Sequence, residues 1–180
     1  MRRRSILIVV VAATTFALLP GNSAGAHTSK ASFEWFVEDN VARASNGDTV
    51  EVSGEGTFDV ASKQATGDGT FEHRTRSGDL VGKGTVEVHR IVAFQFYGCG
   101  VIFGEPIPPD YCGGRAIMEA HLVGHLASDP SVTIEADALL TIECEIGYPP
   151  SGSSEGVTLN VKDFINFNKH VEGENLFVMD

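Results

Sequence analysis

Two side chains in this 180-residue sequence have both the chemistry and the setting to hold a ligand, His73 and Arg90. His73 follows Gly67, Gly69 and Phe71 at a spacing of two, and Arg90 follows Gly82, Gly84, Val86 and Val88 in the same way. Alternate side chains of a strand share a face, so both residues are expected on the inner, apolar side of a sheet. A guanidinium buried there must be paired, with an acid at a neighbouring strand end or with an anionic ligand. Together with Phe58, Phe71, Phe94 and Phe96, the pair predicts a barrel mouth with an apolar wall and one cationic anchor. Two structural outcomes compete with it. Trp35 and Phe36 could fill the space above the glycines and leave a packed core. Alternatively, a bulge ahead of Arg90 could flip the register and return it to solvent.

The other candidates read as structure. His121 and His125 form a His-x-x-x-His pair, which on a helix would put both imidazoles on one face, as zinc requires. Their flanks alternate like a strand, where positions four apart lie ~13 Å from each other. Glu87-Val88-His89 and Glu119-Ala120-His121 place acid and imidazole on common outer faces, which cross-strand ion pairs explain. A general acid–base pair would want a partly buried setting instead. There is no Gly-x-Ser-x-Gly elbow, and the Gly-x-Gly units lack the following helix that would cradle phosphate. No catalytic residue, metal site or cofactor is therefore assigned.

The elements that must position His73 and Arg90 come from one repeated pattern, Gly-x-Gly-Thr-apolar-acid. It occurs as Gly54-Glu55-Gly56-Thr57-Phe58-Asp59, Gly67-Asp68-Gly69-Thr70-Phe71-Glu72 and Gly82-Lys83-Gly84-Thr85-Val86-Glu87. The spacing fits one strand and one turn per unit. Glycine inside a strand marks a bend, a bulge or a close approach, so three such strands predict a strongly curved sheet. Thr49 to Val60 and Ala65 to Arg76 are expected to pair across Ser62-Lys63, with Gly56 opposite Gly69. Leu80 to Tyr97 reads as a long, bent strand whose inner set is Val86, Val88, Arg90, Val92, Phe94 and Phe96. Ser131 to Ile146 carries an unbroken inner row from Val132 to Ile146, which a helical period would scatter. Ser32 to Glu38 reads as an aromatic strand or a short helical turn, and Asn40 to Asp48 as a polar connection. Gly98 to Asp110 reads as a loop, Arg115 to Leu126 as a strand, and Val157 to Val161 and Asn175 to Val178 as short closing strands with Phe164 and Phe167 as core plugs between them. The fold expected is all-β: a single antiparallel domain of about eight strands, an up-and-down barrel in preference to a sandwich.

Compartment follows from the ends and the cysteines. Arg2, Arg3 and Arg4, the apolar run Ile6 to Leu19 and the small-residue site Ala24-Gly25-Ala26 read as a signal peptide over residues 1–26. The domain then covers 27–180, starting at His27. The apolar run is too short for a membrane span, which needs ~20 residues. Without those three arginines the chain carries 10 basic and 24 acidic residues, a balance that repels nucleic acid and anionic lipid. Of Cys99, Cys112 and Cys144, an oxidising compartment would join two. Cys99 and Cys112 flank a Pro-rich loop and are the first choice; Cys112 with Cys144 is the alternative.

The Gly-x-Gly-Thr-Phe units, Leu140-Thr141-Ile142-Glu143-Cys144 and Glu155-Gly156-Val157-Thr158-Leu159 resemble small secreted bacterial β-rich proteins with no assigned activity. The glycine-punctuated units are also similar to allene-oxide-cyclase and dirigent-type barrels. That second resemblance is confined to the repeats and implies a fold at most, because function lives in sites rather than folds. The expectation is a secreted, non-enzymatic β-domain that interacts with an unknown protein or serves a structural role. The alternatives are a barrel carrier of a small apolar or anionic ligand, and an enzyme with a lumen site around His73 and Arg90.

Overall fold

A computed structural model describes residues 31–180, and the expected signal peptide and the start at His27 lie outside them. The described residues contain strands and turns and no α-helix. Eleven strands follow in chain order: β1 (Ser32–Arg43), β2 (Thr49–Asp59), β3 (Gln64–Arg74), β4 (Leu80–Cys99), β5 (Val101–Ile102), β6 (Glu105–Pro106), β7 (Tyr111–Leu126), β8 (Thr133–Cys144), β9 (Gly156–Val161), β10 (Ile165–Phe167) and β11 (Lys169–Met179). The count exceeds the expected eight. The surplus is three short strands: β5 and β6 make a small hairpin in the Pro-rich loop, and β10 is a three-residue return beside β9.

Nine strands form one antiparallel sheet in the order β10-β9-β8-β7-β11-β1-β2-β3-β4, and β7 also pairs with β4. The β4–β7 ladder runs from Gly82↔Leu126 to Cys99↔Cys112. The β7–β11 ladder has only Phe177↔Cys112 and Val178↔Tyr111. The Cys99–Cys112 disulfide joins β4 to β7 at the end of their ladder. Cys144 is the free cysteine, buried, with its thiol donating to the Asn175 carbonyl at 3.3 Å.

The repeated glycines meet one another across the β2–β3 ladder. Gly54 pairs with Gly69 and Gly56 with Gly67. The expected partner of Gly56 was Gly69; the turn between Asp59 and Gln64 takes four residues rather than two, with Lys63 at φ +59°. The resulting slip of two residues leaves every side chain on its expected face. Trp35 of β1 lies opposite Gly56, and its indole covers both Gly56 and Gly67, where an added Cβ would overlap it. The glycine patch is thus filled by an indole, which is 2% exposed. Phe36 points the other way and is exposed. Around the indole one core gathers Phe33, Phe58, Met118, Leu140, Ile142, Leu159 and Phe177. Phe33, Phe58, Phe94 and Phe177 interlock there, with adjacent ring centroids 4.9–5.7 Å apart.

Three bulges in β4 decide which of its residues face in. The register shifts between Val88 and Arg90, between Ile91 and Ala93, and between Phe96 and Gly98. Val86 and Val88 are buried as expected, but after the first shift Ile91 is buried while Arg90 and Val92 face solvent. The second shift restores parity, and Phe94 and Phe96 return to the core. β1 likewise runs past the expected Glu38 to Arg43, through a bulge between Val37 and Asn40. Asn40, buried in that bulge, donates its amide to the carbonyls of Glu38 and Glu174. Phe167 is the buried plug its spacing predicted, whereas Phe164 is 67% exposed, because it sits in the turn between β9 and β10.

Candidate functional site

The fold separates the two residues that parity had placed together. Arg90 lies on the outer surface and is bound by Glu119, its partner across the β4–β7 ladder, with Nε 3.1 Å from Oε2 and a second contact from Nη2 to Oε1. The bulge at Val88/Arg90 is the cause, and a cationic anchor inside the sheet is excluded for this residue. His73 does face inward, with its side chain 13% exposed. It lines a cleft of about 220 Å³ whose wall includes Val50, Phe71, Leu122, Ala136, Leu159 and Phe167.

Six segments build the cleft. β2 and β3 supply Val50 and His73, which are direct partners. β4 and β7 contribute Gly82 and Gly124, and the Phe71 ring takes the space above Gly124, where an added Cβ would meet it at 2.8 Å. β8 contributes Ile134 and Ala136, and the turn from β9 to β10 brings Phe164 to the opening. Ile134 and Phe164 are 41% and 67% exposed, so the lip of the cleft is apolar and open to water.

The single polar group in the apolar wall is oriented by a residue the sequence reading passed over. Asp48, in the turn before β2, lies with Oδ2 3.3 Å from His73 Nε2, and its Oδ1 accepts the Arg76 backbone N–H at 3.2 Å. A signal for this existed. Val50 opposes His73, and Asp48 sits two residues before Val50 on the same face, which makes it the diagonal neighbour of the imidazole. An ionised carboxylate only accepts, so Nε2 is the nitrogen that donates to Asp48, and in the neutral imidazole Nδ1 is the acceptor. The ring edge packs against Phe167, centroids 5.2 Å apart and planes at 81°.

No protein-family model, no curated protein and no solved structure matches this chain. The function must therefore be argued from the site.

Around the opening stand Lys83, Lys162 and His125, against Glu135 and Asp163. The two lysines offset the two carboxylates, in a chain whose formal net charge is −11. Three other histidines, His89, His121 and His125, are held in surface pairs. His121 Nδ1 is 3.2 Å from Asp137 and its Nε2 3.7 Å from Glu135; His89 is 3.9 Å from Glu87; His125 Nδ1 is 3.4 Å from Thr133 Oγ1.

At the far end of β8 lies a second polar cluster. Glu155 is partly buried there and accepts the backbone N–H groups of Glu145 (2.6 Å) and Asn175 (3.2 Å). Burial pushes its carboxyl up to about 7, against the opposing pull of those hydrogen bonds. Burial, with the charge of Glu155 beside it, pushes the Cys144 thiol up to about 12. A thiol so held is not a nucleophile near neutral pH.

Proposed function

We propose that this chain is a secreted, non-enzymatic binding domain that takes up a small apolar molecule in the cleft beside His73. The observation that carries the reading is an apolar hollow beside His73 that remains open to solvent. With Trp35 seated on the glycine patch, the cleft is the place left for a guest. A cavity of ~150 Å³ lined by apolar side chains accommodates benzene, so one of about 220 Å³ suits a molecule of one to two rings. The residues that line the cleft include no serine, threonine or cysteine, which favours binding over nucleophilic catalysis by a hydroxyl or thiol. Secretion is supported by the Cys99–Cys112 disulfide, which persists in oxidising compartments, and by the N-terminal sequence pattern. We further read the curved sheet as a barrel. The two-pair β7–β11 ladder would join its halves at one end, and β9 would pack alongside β11 and β1 without backbone pairing.

Native mass spectrometry of the protein purified from the medium of its producing cells tests this reading, with Ala136→Trp as the control that fills the cleft from the β8 wall. The expected result is an added mass of a small molecule, lost on denaturation and absent from the Ala136→Trp variant. An added mass that persists in the variant puts the ligand elsewhere. A bare chain that also fails to take up naphthalene overturns the reading.

A further inference from the structure

We infer that the cleft selects an uncharged apolar molecule carrying a hydroxyl group, which donates its hydrogen to Nδ1 of His73. The inference rests on the proposal that the cleft binds a small apolar ligand, and adds what that ligand must carry. Asp48 occupies Nε2 of the imidazole at 3.3 Å, and Asp48 is itself fixed through the Arg76 N–H. That arrangement sets the tautomer, because the carboxylate can only accept. In the neutral imidazole the nitrogen left over, Nδ1, is an acceptor, and no side chain or backbone group among the described residues bonds to it. An acceptor in an apolar wall discriminates strongly for a ligand that brings a donor, since a guest without one removes water from the nitrogen and returns nothing.

Charge points the same way. The Asp48 carboxylate beside the imidazole disfavours an anionic guest. Lys83 and Lys162 at the rim are offset by Glu135 and Asp163, so the opening favours neither sign. An alcohol or a phenol in its neutral form satisfies all three conditions: apolar body, no charge, one donor.

The probes are 2-naphthol and 2-methoxynaphthalene, which share a ring system and differ in the hydroxyl hydrogen. Each is titrated into the ¹⁵N-labelled protein at neutral pH, and the amide shifts of Gly82 and Gly124 report cleft occupancy. We expect 2-naphthol to bind about tenfold more tightly than the ether, the worth of one hydrogen bond. In His73→Phe, which keeps a ring against Phe167 and removes the acceptor, that preference falls to about onefold. Equal binding of the two probes to the native protein overturns the hydroxyl selection while leaving the cleft as an apolar site. A preference that survives in His73→Phe overturns the role of His73. If neither probe shifts the cleft amides, the binding reading itself fails, and this inference with it.

Discussion

At the scale of single residues, contact between Trp35 and two glycines holds the middle of the sheet in place. A Cβ on Gly67 would overlap the Trp35 ring and approach the Glu55 carbonyl at 2.6 Å. Alanine ordinarily suits a strand better than glycine, yet here Gly67→Ala should destabilise by about 1–3 kcal/mol through overpacking. Urea denaturation of the variant measures it, and an unchanged midpoint would mean the indole can move aside freely. Cys144 gives a second residue-scale expectation. It is 1% exposed, and its thiol is pushed up to about 12, so iodoacetamide at neutral pH should leave it untouched in the native protein and modify it in urea. Intact mass resolves the two states, and labelling of the folded protein would contradict the burial of β8.

At the scale of elements, the β4–β7 pair and the connection after β8 carry the expectations. The disulfide closes a loop with a sequence separation of 13, for which the chain-entropy estimate is ~3 kcal/mol. Replacing both Cys99 and Cys112 by alanine should lower unfolding stability by about that amount, while far-ultraviolet circular dichroism keeps its strand signature. The loop from Glu145 to Glu155 is tied down by the Glu155 carboxylate, whose raised value of about 7 stands above the ordinary 4.5. The folded protein therefore holds this proton more tightly than the unfolded chain. The stability it contributes is complete below about pH 4.5 and is lost as pH climbs through 7. Glu155→Gln should abolish this pH-dependent loss, roughly 1–2 kcal/mol after allowance for the group's remaining contact with water. Thermal melts of both proteins across that window decide it; parallel Tm profiles would show that Glu155 does not titrate there.

For the whole molecule, the alternation of side chains made the strands readable, and the places where alternation breaks were not. The inner row of β8 from Ala138 to Cys144 is buried as its period of two predicts. At the other end of that strand Ile134 stays open, because no β9 residue pairs beyond Val161↔Ala138. Arg90 was misplaced because a bulge is set by the fit between two strands, and one strand's sequence does not display it. The disulfide was legible because its cysteines flank a loop that must return on itself. The cleft was half legible. His73 could be assigned to the inner face from parity, but its neighbours come from positions as distant as Val50, Gly124 and Phe164. Only the pairing of strands far apart in the chain brings them to one place. Asp48 could have been found with the β2–β3 register in hand, and that register depended on a turn two residues longer than assumed.

The sequence holds one tryptophan, and it is the one sealed against Gly56 and Gly67, with its indole Nε1 free of any hydrogen-bond partner among the described residues. The cleft lining does not include it. The protein consequently carries its own optical gauge. Trp35 should emit at the blue end of the indole range while folded and shift to the red as the sheet comes apart. A guest arriving beside His73 should leave that colour unchanged, so one fluorescence channel can follow unfolding while another follows binding.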